Sequence, residues 1–148
     1  MGIQAIRNNN PSLLVNSIFR NQSCFQTENA SFSGFYGLRP NIVDTVSQFG
    51  TFSSGLSSIG IEQGIVLTTG RVSTIEGQNS ANYTSFLYNA PSSDPDLRLV
   101  AGNNSIFDAV SLEFDFVPTT NSINFDYVFA SEEYCEGFNN NNADVLLL

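Results

Sequence analysis

The sequence contains no histidine, no lysine and no tryptophan, and only two cysteines. Without histidine it lacks the side chain that most often serves as a general base or a metal ligand near neutral pH. Without tryptophan it lacks the usual stacking platform for sugars. Its five cations are all arginine: Arg7, Arg20, Arg39, Arg71 and Arg98. A net charge of -9 argues against nucleic acid or an anionic membrane as partner, because both are held by basic patches. No apolar run approaches the length of a membrane span. The opening MGIQAIRNNN lacks the apolar stretch of a signal peptide, and the following SLLV is too short to serve as one.

What is present fits one domain with a sizeable core: 148 residues, with 13 Phe and 5 Tyr to supply large buried surfaces. Charge is unevenly spread. No cation follows Arg98, whereas Asp108, Glu113, Asp115, Asp126, Glu132, Glu133, Glu136 and Asp144 all lie beyond it. Such a cluster is either a solvated acidic face or the ligand set of a hard cation, most simply Ca²⁺. Cys24 and Cys135 allow one intramolecular bridge, or two buried free thiols. A bridge would close a loop of about 110 residues, nominally worth about 4–5 kcal/mol. The rest of the composition is rich in Asn, Ser, Thr and Gly, with Asn-x-Ser/Thr sequons at Asn21, Asn29, Asn82 and Asn103. It suggests an extracellular protein.

Along the chain, residues 1–11 are expected to be a loose leader, with Asn8, Asn9, Asn10 and Pro11 breaking regular structure. Residues 12–148 would then form the domain. Leu13, Leu14, Val15, Ile18 and Phe19 fit a short helix capped by Ser12 with Pro11 just outside, or equally a first strand. Residues 24–35 suggest a weak strand. Val43, Thr45, Val46, Phe49 and Phe52 mark a strand near an edge or surface. Gly60 and Gly64 bracket a turn. Residues 65–69 form a short β-branched run suited to a strand buried on both faces. Residues 74–107 are long, polar and irregular. There, Asp94 and Asp96 suit either an ordinary Asx-turn or a cation.

The clearest pattern follows. Val110, Leu112, Phe114 and Phe116 alternate with Ser111, Glu113, Asp115 and Val117, and Pro118 stops the run. Ile123, Phe125, Tyr127 and Phe129 then alternate with Asn124, Asp126, Val128 and Ala130. Two strands this close are most simply an antiparallel hairpin. Its register would set Phe116 opposite Ile123, Phe114 opposite Phe125 and Leu112 opposite Tyr127. Its outer face would set Glu113 opposite Asp126 and Asp115 opposite Asn124. Like charges so placed call for screening, an arginine (Arg71 or Arg98) or a cation.

Residues 108–118 together with 125–134, which end in Phe129-Ala130-Ser131-Glu132-Glu133-Tyr134, resemble the choice-of-anchor L domain of bacterial surface and secreted proteins. The glycine-bracketed strand at 59–70 and the acidic Asp94-Pro95-Asp96-Leu97 segment are similar to that family too. The resemblance covers roughly residues 13–145. It implies an extracellular β-domain with no known enzymatic activity. The family continues beyond Asp144-Val145, so a C-terminally truncated domain is expected, either a fragment or a subunit whose sheet a partner strand completes.

The expected fold is therefore all-β: an antiparallel, jelly-roll-like β-sandwich with one short N-terminal helix at most. The leading functional expectation is a non-catalytic binding, adhesion or surface module. Its partners would be other surface proteins, glycans or copies of itself, and Tyr83, Tyr88 and Tyr134 are candidates for stacking on sugars. A Ca²⁺ site is expected at Asp94, Asp96, Glu132, Glu133 and Asp144, with Glu113 and Asp126 as a weaker pair. The alternative is a filament or fibre subunit that assembles through an open sheet edge. A glycosidase using two of the carboxylates at 132–136 ranks last, since no nucleophile motif accompanies them.

Overall fold

The computed structural model describes residues 2–19, 25–78, 94–102, 105–118, 121–131 and 144–148. It is mostly antiparallel strand with a few short helices. Strand β1 (Gln4–Arg7) pairs with β5 (Phe49–Ser53), which pairs in turn with β6 (Gly64–Leu67). Strand β2 (Phe25–Ser33) pairs with β7 (Ser111–Pro118), and β3 (Tyr36–Gly37) with β4 (Val46–Ser47). Helices α1 (Pro11–Phe19), α2 (Leu56–Ile59) and α3 (Pro95–Val100) and a 3₁₀ turn (Val72–Ile75) complete the described elements.

The supposed leader carries a strand. Gln4 to Arg7 lie opposite Ser53 to Gly50. The asparagine run that reads as a breaker is a helix start instead. Asn10 Oδ1 accepts from the Leu13 N–H at 3.1 Å, three positions on, and Asn8 Oδ1 accepts from the Asn10 N–H at 2.9 Å. Asn10 is thus the N-cap, and Pro11 occupies the first helical position, where its missing N–H costs nothing. Ser12 lies inside the helix. This settles the helix-or-strand alternative for 12–19.

The core is small and centred on β5. Leu14, Val15 and Phe49 are fully buried, with Val46 and Val72 beside them. The Phe49 ring lies 3.9 Å from the Phe32 ring, centroid to centroid, and stacks on Tyr36 at 6.1 Å. The segment placed near a surface by its sequence is therefore the middle strand of its sheet. Gly50 explains how close β1 comes: a Cβ there would overlap the Ile6 carbonyl oxygen. Conversely, β6 is partly exposed and, like β1, an outer strand of this sheet among the described residues, not buried on both faces. At the C-terminus of α2, Gly60 supplies the left-handed cap (φ 77°) that a side chain would resist.

Gln48 is the polar exception in this core, only 2% exposed. Its Oε1 accepts from the Phe35 N–H at 2.7 Å, and its Nε2 donates to the Asp108 carbonyl at 2.8 Å and more weakly to the Thr69 carbonyl at 3.4 Å. Its main chain donates to Phe35 O and accepts from Thr68 N–H. One side chain therefore joins the approaches to β3 and β7 to the end of β6. Buried amides are stable in a core when both ends are so matched.

Candidate functional site

The stretch 108–131 divides differently from the hairpin expected. Strand β7 pairs antiparallel with β2, with Phe116 opposite Thr27, Glu113 opposite Ser31 and Leu112 opposite Phe32. Residues 123–130 pair with no strand among the described residues. The registers Phe116–Ile123, Phe114–Phe125, Leu112–Tyr127, Glu113–Asp126 and Asp115–Asn124 are thus all overturned. The physical reason is the partner β7 finds. β2 matches its alternation, and Phe19 of α1 closes against Phe114 (5.6 Å, edge to face) and Phe116 (6.4 Å). Helix α1, β2 and β7 thereby form one apolar unit.

A like-charge pair does occur, but it is Glu28 opposite Asp115. The ladder shifts between Glu28 and Ser31, and Asn29 there adopts φ 53°. From this bulge Asn29 Nδ2 donates to Asp115 Oδ2 at 2.7 Å. A neutral amide donor thus meets the carboxylate that the facing glutamate would otherwise repel.

Beyond β7, Phe125, Tyr127 and Phe129 are 55%, 60% and 53% exposed, with Val128 similarly open on the alternate side. The Phe125 and Tyr127 rings contact each other at 6.3 Å. At the end of the segment Ser131 Oγ donates to Asp144 Oδ2 at 2.7 Å, which ties the segment to the chain that carries the exposed Leu146, Leu147 and Leu148. Phe116 and Val117, at the end of β7, are exposed as well. Three aromatics at alternate positions thus stand exposed in a segment that pairs with no described strand.

The predicted cation ligands are employed singly. Asp94 is the N-cap of α3: its Oδ1 accepts from the Asp96 and Leu97 N–H groups at 3.1 and 2.9 Å. That is the Asx-type reading of the segment. Asp96 sits in the first turn of the same helix, where a carboxylate favours the positive end of the helix dipole. Asp144 takes the Ser131 hydroxyl, and Glu113 and Asp126 are exposed. Among the described residues no three acidic or cysteine side chains converge on one point. Glu132, Glu133, Glu136, Cys24, Cys135, Tyr83, Tyr88 and Tyr134 lie outside the described residues.

Two features escaped the sequence. One is Gln48, which follows Ser47 in a mixed run of polar and apolar residues and carries no sequence signal of burial. The other is the Arg7–Asp44 ion pair at 2.7 Å, which fastens β1 to the loop after β3. Arg7 also donates to the Thr45 carbonyl. The Arg7 hydrogen bond, helped by the Thr45 N–H, holds the Asp44 carboxyl below its ordinary value.

Comparison with curated proteins and with solved structures gives no match. Residues 3–148 match the choice-of-anchor L domain, so the match takes in β1 as well as the segments that suggested the family. That family comprises bacterial surface-associated modules and is not a known enzyme family. No helix among the described residues is long and apolar enough to cross a membrane. From its first described strand to its last residue, this chain belongs to the choice-of-anchor L domain family.

Proposed function

We propose that the chain is a non-catalytic binding or adhesion module displayed outside the cell, and that it meets its partner through the aromatic segment 123–131. The observation that carries this reading is the set Phe125, Tyr127 and Phe129, each more than half exposed at alternate positions of the sequence. Large aromatics supply most of the contact energy at interfaces, and solvated monomers seldom display several in line. The jelly-roll-like sandwich is part of the same proposal. It would set the β1-β5-β6 sheet against the β2-β7 sheet, and the Phe32–Phe49 contact between them supports it.

The test is binding of the purified chain to bacterial envelope preparations and to a glycan panel. The triple variant Phe125→Ser, Tyr127→Ser, Phe129→Ser should keep its unfolding midpoint and lose binding. Undiminished binding by that variant would refute the reading. Absence of ladder pairing over 123–130 among the described residues favours a second reading, self-assembly by strand addition between copies. Sedimentation velocity separates the two. A constant mass near 16.1 kDa supports the binding module, and growth with concentration that the triple variant abolishes supports assembly.

Calcium is a separate proposal, resting on Glu132, Glu133 and Asp144 together with Asp94 and Asp96. An ion bound to the native state must raise the unfolding midpoint. Equal midpoints in millimolar Ca²⁺ and in EDTA would remove it. A Cys24–Cys135 bridge is proposed likewise, and intact mass with and without reductant decides it.

A further inference from the structure

The outer edge of β1 has a feature that neither the core nor the aromatic segment uses. In an antiparallel ladder, alternate residues turn both peptide groups to the same side. The Asn8 N–H donates to Phe49 O at 3.4 Å, so the even-numbered residues face β5. Ile3, Ala5 and Arg7 therefore turn their peptide groups away from β5. The Ala5 N–H does not meet another strand there. It donates to Glu76 Oε1 at 2.7 Å, and Glu76 is placed there by the 3₁₀ turn it follows. A carboxylate oxygen thus occupies the position that a neighbouring strand's carbonyl would take.

Beside this contact lies an open groove of about 540 Å³, lined by Gly2, Ile3, Gln4, Ala5, Ile6 and Glu76, with Gly77 at its end. That volume falls within the range of about 300–1,000 Å³ typical of ligand sites. Among the described residues, no heavy atom outside the adjacent chain stands within 4 Å of where a Cβ of Gly2 or Gly77 would be. Its charged wall is a carboxylate, in a chain of net charge -9.

We propose that this edge takes up a short extended peptide bearing a basic side chain, added as a strand beside β1, with Glu76 as the latch. The incoming backbone carbonyl replaces Glu76 as acceptor for the Ala5 N–H. The carboxylate so released pairs with the lysine or arginine of the peptide. Backbone pairing supplies the affinity and the charge supplies the selectivity, as in other cases of strand addition. A second copy of this chain is a poor occupant, since it would bring a further net charge of -9 to an acidic site. The site is on the β1-β5-β6 sheet, apart from the 123–131 segment, and does not depend on the reading given for that segment.

The experiment titrates the full chain with labelled hexapeptides of alternating valine and lysine. Controls are the valine–glutamate peptide and a lysine peptide of equal charge with proline at alternate positions, which cannot pair as a strand. Binding of the valine–lysine peptide alone is expected. The amides of Ile3, Ala5 and Arg7 should gain exchange protection while those of Gln4 and Ile6 stay unchanged. Glu76→Gln keeps an acceptor for Ala5 but loses the charge, so the lysine peptide should bind about fivefold more weakly. Equal binding of the proline peptide would reduce the effect to diffuse attraction and overturn the proposal. Binding without protection at Ala5, or binding indifferent to Glu76→Gln, would overturn it too.

Discussion

Replacing Gln48 by leucine tests the architecture at its most connected point. The change keeps roughly the same volume and removes both ends of the amide. The Phe35 N–H loses its 2.7 Å acceptor and the Asp108 carbonyl its 2.8 Å donor. The 3.4 Å contact to Thr69 is near the limit of a hydrogen bond and adds little. Depriving a buried polar group of its partner costs about 1–3 kcal/mol, so two such groups cost roughly 2–6 kcal/mol. Burying the added apolar surface of leucine returns about 1–2 kcal/mol. At mid-range values the net expectation is a loss of about 2–3 kcal/mol. For a chain of this length that lowers the midpoint by roughly 3–15 °C. Urea and thermal unfolding followed by far-ultraviolet circular dichroism and tyrosine fluorescence measure it, since no tryptophan is present. Gln26→Leu, at an exposed position of β2, is the control and should stay within about 0.5 kcal/mol of the parent. A Gln48→Leu protein as stable as the parent would refute the role assigned to the amide.

Gly50→Ala should push β1 from β5, costing about 1–3 kcal/mol and speeding hydrogen exchange over Gln4–Arg7 selectively. Asn10→Ala removes the cap of α1 and should cost about 1 kcal/mol in urea unfolding, whereas Ser12→Ala should cost much less. Asp44 has a folded pKa below its unfolded value of 3.8, so its pairing with Arg7 stabilises the fold above that pH and the contribution fades as pH falls through the lower folded value. Arg7→Gln should therefore flatten the acid limb of the stability–pH curve, and an unchanged limb would contradict the pairing.

Period-two alternation identified β2 and β7 from sequence because the two faces of a strand meet different surroundings. Pairing was a different matter. β7 joins β2 from far back in the chain, and only the packing of Phe19 on Phe114 and Phe116 shows why. Nothing local to Pro118 and residues 119–122 distinguishes that outcome from a hairpin. β1 was hidden by the asparagines after it, because the same residues end a strand and cap a helix. The surface position expected for Phe49 was wrong for a similar reason: its polar neighbours Ser47 and Gln48 are themselves buried. At the acidic positions, residue type was legible and the hydrogen-bond partners were not. Asp94 caps a helix and Asp144 holds a serine, uses that look the same in a sequence as cation ligation.

The account rests most heavily on the division of residues 108–131 into a paired strand and an open aromatic segment. Residue-resolved hydrogen exchange on the isolated chain tests it directly. The amides of β7 that face β2 should be protected, and those of 123–130 should exchange at near-unprotected rates until a partner is added. Equal protection of the two segments in the isolated chain would mean that they form a hairpin after all, and would contradict both the fold described and the binding surface proposed.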